Sequence, residues 1–349
     1  MNTRLMAGLG LLALSGLPAH AILIDGSWNL TASNTLAKDF TNFPAFSAAG
    51  SISITEGTAS FGATGVLISS EWVLTAAHNW TNAVTAMTFT VGGTTYNANM
   101  TQLIQHPNWT SAPSPLANAT AGASQGWDIA VFKLTTPVTG VTPAGLYTGS
   151  SELGAQVYTL GFGRTGTGTT ASVENASGNV HAISNTIDRV TSQNANGRTG
   201  GQLFYDFDSG LAAANTLVNA GLPGSSDPFL TTLNPAGTIS GTTSSLTQLT
   251  SGGSVIEGGT AQGDSGGPTF INNGTSWVVA GLTSWGINPI NNTYATTGMF
   301  GDVTAVTRVS EHIAWINSVT AIPEPSTYAA ILGAAALVVT AIRRRRQQT

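Results

Sequence analysis

Cysteine is missing from the whole 349-residue chain, so no disulfide can contribute to its stability. A packed core has to supply that stability instead. Charge is scarce as well: Asp, Glu, Lys and Arg make up 8% of the residues, with a net charge of −5. Much of the basic charge sits in Arg343–Arg346, so the sequence before that cluster is more acidic still, which argues against nucleic acid as a partner. The apolar run Tyr328–Ile342 falls short of the roughly 20 residues that a full membrane span needs. What the chain does have is Gly (42 residues), Thr, Ser and Asn, with Val, Ile and aromatics in short runs. That mixture favours many short strands joined by turns, and the length suffices for a large core in one or two domains.

Both ends read as sorting signals. Residues 1–21 read as a secretory signal, with Arg4, the apolar run Leu5–Leu17 and Ala19-His20-Ala21 as a small-x-small cleavage site. Near the other end, Pro323-Glu324-Pro325-Ser326-Thr327 precedes Tyr328–Ile342 and the four arginines, whose side chains snorkel to headgroups and mark a cytoplasmic end. The plain reading is a C-terminal membrane anchor. Together these features resemble the PEP-CTERM sorting tail of Gram-negative bacteria. That resemblance implies export, a transient hold on the membrane through residues 323–349 alone, removal of the tail by an exosortase-type sorting enzyme, and a final place at the cell surface or outside the cell.

Three motifs carry chemistry. Gly263-Asp264-Ser265-Gly266-Gly267-Pro268 sets a hydroxyl among glycines, which let backbone approach a substrate closely. Gly263 and Ser265 N–H groups could then face a developing oxyanion. Thr75-Ala76-Ala77-His78 follows two apolar strands joined at Ser69-Ser70-Glu71, and Asp128 opens the buried run Trp127-Asp128-Ile129-Ala130-Val131-Phe132. Each motif alone has a plainer reading: a Gly-rich turn, a structural histidine, an Asp cap. His106, in Gln105-His106-Pro107-Asn108, reads as structural, and Asp206-Phe207-Asp208-Ser209-Gly210 reads as a strand end because Leu217 stands where an EF-hand loop needs Glu.

In the order His78, Asp128, Ser265, the three strings resemble the trypsin/chymotrypsin-like serine proteases. The resemblance implies an all-β fold of two antiparallel six-stranded Greek-key barrels, about 22–140 and 141–322, with a C-terminal helix. It implies Ser265 as nucleophile, His78 as base, Asp128 as its orienter, and Gly263 and Ser265 as the oxyanion hole. It places the substrate pocket at Gly259, Thr260, Ala261, Ser284, Trp285 and Gly286, and pairs a new N-terminus at Ile22 with Asp264. It also sets Ala63 and Asn79 where many relatives carry a disulfide. A protein or peptide is the implied substrate, with no cofactor or metal. A cell-surface binding protein and an esterase or acyltransferase on the same fold are the alternatives.

Local patterns predict strands around Pro44–Thr55, Ala59–Gly65, Gln156–Phe162, Gln202–Phe207 and Trp277–Trp285, with the crossing between barrels at 135–150. They also predict a helix over Glu311–Val319 with Ile313, Ile316 and Val319 on or near one face.

Overall fold

The computed structural model describes residues 23–24, 30–113, 120–168, 170–174, 179–191, 201–209, 217, 250–251, 254–255, 257–288, 293–294 and 300–320. The signal at 1–21, Ile22 and the tail at 323–349 lie outside them. The chain divides into two units, Met1–Ile313 and Ala314–Thr349.

A six-stranded barrel closes first, in the order Ala49–Glu56, Ala59–Leu67, Trp72–Thr75, Ala130–Leu134, Thr94–Gln105 and Val84–Val91, the last pairing back onto the first. Alternation drives the closure: Ile52 and Ile54 point into the core while Ser53 between them is exposed. Val91 and Thr94 pair across a two-residue turn of Gly92 (φ 58°) and Gly93 (φ 77°), positive at both positions as a tight hairpin needs. Pro44–Ala48, expected as strand, is a 3-10 turn. Proline offers no N–H to a ladder, and the strand starts only at Ala49.

The second sheet has eight strands. Its path runs His181–Thr186, Gln156–Gly161, Pro268–Asn272, Trp277–Asn288, Val303–Arg308, Gln202–Asp206 and Arg189–Val190, with Thr293–Tyr294 added beside Trp277–Asn288. No strand falls within the crossing at 135–150, where Leu146 makes an isolated parallel bridge to Val279. A smaller sheet sets Leu23–Ile24 between Gly166–Thr167, in parallel, and Gly258–Gly259, antiparallel.

A helix at Leu30–Ala37 was not anticipated from the sequence. It covers the edge strand His181–Thr186, where an open row of backbone groups would otherwise remain. Ser33 Oγ donates to the Ala182 carbonyl (2.7 Å) and accepts from its N–H (3.1 Å), and Asn34 Nδ2 donates to the Val180 carbonyl (2.7 Å). Phe43 and Phe46 then stack at 4.7 Å, and Phe43 meets Tyr158 and Trp277 of the second sheet. The C-terminal helix spans Ile313–Thr320, after a 3-10 turn at Val309–His312; Ile316 is buried, Ile313 and Val319 half-buried.

The end of the barrel crossing is tied to the second sheet by a buried ion pair. Glu152, fully buried, takes Arg308 Nε at 2.7 Å and Nη2 at 2.8 Å, and accepts from Ser310 Oγ at 3.1 Å. Arg308 Nη1 also reaches Glu311 at 2.9 Å. Removing one partner of such a pair strands the other charge. Glu152→Ala is expected to lower the unfolding free energy by about 3 kcal/mol in urea titration. A loss under about 0.5 kcal/mol would show that Glu311 alone satisfies Arg308.

Candidate active site

The pairing of two barrel strands brings the first two site residues together. Thr75 is the register partner of Ala130 in an antiparallel pair. The chain leaving Thr75 and the chain arriving at Ala130 therefore share one end of the barrel. His78, in the 3-10 turn Ala77–Asn79, and Asp128 both lie there. Gln105 Nε2 holds the His78 turn by donating to the carbonyls of Ala77 (2.6 Å) and Trp80 (3.0 Å).

Asp128 is wholly buried, and its carboxylate is met by donors from both sheets. Oδ1 accepts from the His78 N–H (2.8 Å); Oδ2 accepts from His78 Nδ1 (2.6 Å) and from Ser284 Oγ (2.5 Å). Thr307 Oγ1 donates to its main-chain carbonyl at 3.0 Å. With Nδ1 carrying the proton, Nε2 is left to accept from Ser265 Oγ, 2.7 Å away. Burial of the His78 ring pulls its pKa down, but the Asp128 charge and hydrogen bond together exceed that pull and hold it above the ordinary imidazole value. His106 stacks on Trp127 at 4.8 Å, with His312 edge-on to both, behind Asp128. Burial depresses His106 to about 4, so it stays neutral packing.

Ser265 stands on a loop wedged between the barrel and the second sheet. Thr64 of the barrel donates its N–H to the Ser265 carbonyl (3.0 Å) and its hydroxyl to the Gly263 carbonyl (3.0 Å). At Gly266 (φ 79°) a Cβ would overlap Thr75 Oγ1 and the Thr64 carbonyl; at Gly263 (φ 99°) it would lie 2.6 Å from Gly163 Cα. Only glycine fits both the angle and the gap. Asp264, fully buried, accepts from Gly163 N (3.0 Å) and Ala261 N (2.7 Å), which fixes the turn before Ser265. Neither the Gly263 nor the Ser265 N–H has an acceptor among the described residues. Asn79 Nδ2 spans from Thr75 Oγ1 (2.8 Å) to the Ser265 carbonyl (3.1 Å). Hydrogen bonds thus join the histidine turn to the serine loop where no disulfide is available.

The site opens into a groove of about 400 Å³. Thr260, Ala261, Ser284, Trp285 and Gly286 line it; Gly259 does not. Gly259 is buried in the small sheet opposite Leu23, with Phe207 packed over it. Ser284, expected only as pocket wall, also holds Asp128. Sequence motifs missed Asn79, Gln105, Thr64 and Thr307 as supports, because each acts through a contact distant in the chain. Among the described residues no group of three or more His, Asp or Glu has the arrangement that holds a metal ion, and no helix is long and apolar enough to cross a membrane.

The pattern that defines the Trypsin family matches residues 21–220 and 232–316, most of the chain. The chain belongs to the trypsin family. No curated protein matches it closely enough to count as a relative. Among solved structures, neuropsin, a serine protease expressed in the limbic system of mouse brain, aligns with a TM-score of 0.46 and 18% identity, over 78% of this chain and 94% of that one. The trypsin-family fold accounts for the closed barrel, the curled second sheet and the terminal helix.

Behind Gly259 this trypsin-family chain gathers four buried carboxyls: Asp188, Asp206, Asp208 and Glu257. The strand expected over Gln202–Phe207 ends at Asp206, whose Oδ2 accepts from Leu217 N (3.0 Å), and buried Arg189 donates to the Leu217 carbonyl. Burial, then the charge of Asp206, raises Asp188 well above the carboxylate range; burial, then Asp206 and Glu257, raises Asp208 to about 8. A carboxyl raised on folding stabilises fully below its ordinary value near 4, and that contribution is lost as pH rises through the raised value. Melting temperature is therefore expected to fall progressively between about pH 4 and pH 8 and to level off above that, and Asp208→Asn to flatten the decline. An identical decline in the variant would clear Asp208 of it.

Proposed function

We propose that the chain is an exported serine endopeptidase. The observation that carries this reading is the continuous series Asp128–His78–Ser265, with contacts of 2.6 Å and 2.7 Å, facing an open groove. Ser265 Oγ attacks the scissile carbonyl as His78 Nε2 takes its proton. Asp128 fixes the tautomer and stabilises the imidazolium. The N–H groups of Gly263 and Ser265 are free to receive the oxyanion. His78 then returns the proton to the leaving amine, and water repeats the sequence on the acyl-enzyme.

Ser265→Ala is expected to abolish peptide hydrolysis, and Asp128→Asn to lower kcat by about four orders of magnitude. Because His78 must be neutral to act as base, kcat/KM should rise through a pKa above the ordinary value of about 6.5. Hydrolysis surviving in Ser265→Ala would contradict the reading; turnover of esters alone would favour an esterase, and none at all a binding protein.

The pocket favours a small neutral residue before the cleaved bond. Among the described residues no carboxylate lines its Thr260–Gly286 end, so a cationic side chain would lose water without a partner there. Thr304 stands opposite Gly286 in the sheet, and its hydroxyl meets Thr260 Oγ1 at 3.2 Å, behind two residues of the groove wall. In a peptide library, Thr304→Gly should shift preference toward larger apolar residues by about tenfold per added methylene. Dominant cleavage after Arg or Lys would contradict this.

Export rests on the signal at 1–21 and sorting on the tail at 323–349. Cleavage after Ala21 would free Ile22 to pair with Asp264, a reading supported by the seat of Leu23–Ile24 beside the strand Gly258–Gly259, a few residues before Asp264. Terminal mass analysis of active protein recovered outside the cell should show Ile22 first and no tail. A retained signal or tail would contradict the corresponding part.

A further inference from the structure

The groove does not stop at Ser265. It continues past His78 onto the first barrel, where Ile54, Glu56, Phe61, Trp80 and Thr81 line it. Glu56 is the one carboxylate among the described residues lining the groove. It ends the strand Ala49–Glu56, and its Oε1 accepts from the Thr81 N–H (2.7 Å) and the Thr81 hydroxyl (2.9 Å). Those bonds hold the carboxylate in place through Oε1 alone, at the wall of the groove. Phe61 beside it is 51% exposed, a large apolar surface at the mouth of the groove.

The chemistry gives this end a direction. The acyl half of a substrate lies against Thr260, Ala261 and Ser284–Gly286, on the second sheet. His78 Nε2 hands its proton to the departing amine, so the leaving half extends on the His78 side, toward Phe61 and Glu56. Thr81 is three residues beyond His78, at most about 10 Å of chain, or two to three residues of an extended substrate.

We propose that Glu56 makes this site select peptides carrying Lys or Arg at the second or third residue after the cleaved bond, with Phe61 as the platform for the aliphatic stem. The inference rests on the endopeptidase reading above. A fixed carboxylate loses little freedom on meeting a cation, and a long basic side chain can lay its methylenes on an exposed ring while its charge stays partly hydrated. Trypsin-type selection before the cleaved bond would need a buried carboxylate; selection after it needs only this half-buried one.

The alternative is that Glu56 merely caps the turn at Thr81. Glu56→Gln separates the two, because the amide oxygen can still accept from Thr81 while the charge is gone. Three peptides share one acyl half and carry Lys, Gln or Glu at both the second and third leaving positions. Their kcat/KM values are compared within each enzyme, so that differences in folded fraction cancel. The wild type should favour Lys over Gln by about two- to fivefold and disfavour Glu, with the spread shrinking in high salt. Glu56→Gln should level the series, and Glu56→Lys should reverse it. A level series in the wild type, or a Lys preference that persists in Glu56→Gln, would overturn the proposal and leave the endopeptidase reading standing. Cleavage of none of the three by the wild type would overturn that reading, and this inference with it.

Discussion

A carboxylate with no exposure to water has to be satisfied by donors, and Asp128 draws them from both halves of the protein. The His78 N–H and Nδ1 come from the barrel and the Ser284 hydroxyl from the second sheet, where Thr307 also donates to the Asp128 main-chain carbonyl. Losing one of these donors while the sheets stay packed would leave that charge buried and short of a partner, which costs several kcal/mol. The same contacts that join the sheets also fix the His78 tautomer. Joining the halves and orienting the His78 ring are therefore one interaction.

The remaining supports are arranged around that contact without any covalent bridge. The serine loop is held by close approach: Gly266 lies against Thr64 and Thr75, and Gly263 against Gly163, at separations that exclude a side chain. Asn79 and Gln105 pin the histidine turn through amide groups, which supply several directed hydrogen bonds each. Such a site depends on fit throughout, and the helix Leu30–Ala37 with the Phe43–Phe46 stack braces the far side of the second sheet. Beneath the pocket, the carboxyl group cluster at Asp188, Asp206, Asp208 and Glu257 places an ionisable load directly behind Gly259.

How much of this was legible depended on where the information lies in the chain. His78, Asp128 and Ser265 sit in short contiguous strings because each needs a particular local backbone: a turn off a strand end, a strand start, a glycine wedge. The strand alternation in Ala49–Glu56 and the apolar run Ala130–Leu134 were readable for the same reason. The helix Leu30–Ala37 was not, since its sequence lacks a clear apolar stripe and it is anchored by Ser33 and Asn34, residues that usually mark turns. Counting back from Ser265 put Gly259 on the pocket floor, whereas the fold sets it in a sheet behind the wall. Thr304 and Glu56 could be found only from register and from the groove, because nothing in their neighbours marks them. The carboxyl cluster draws on positions from 188 to 257, which no local pattern connects.

The central claim is that Asp128 and His78 together make Ser265 a nucleophile. The most direct measurement is peptide mapping by mass spectrometry after exposure of the folded protein to a sulfonyl fluoride. The account predicts a single adduct, on Ser265, forming faster as pH rises through the elevated His78 pKa and lost in His78→Ala. An unmodified Ser265, or labelling indifferent to the loss of His78, would contradict it.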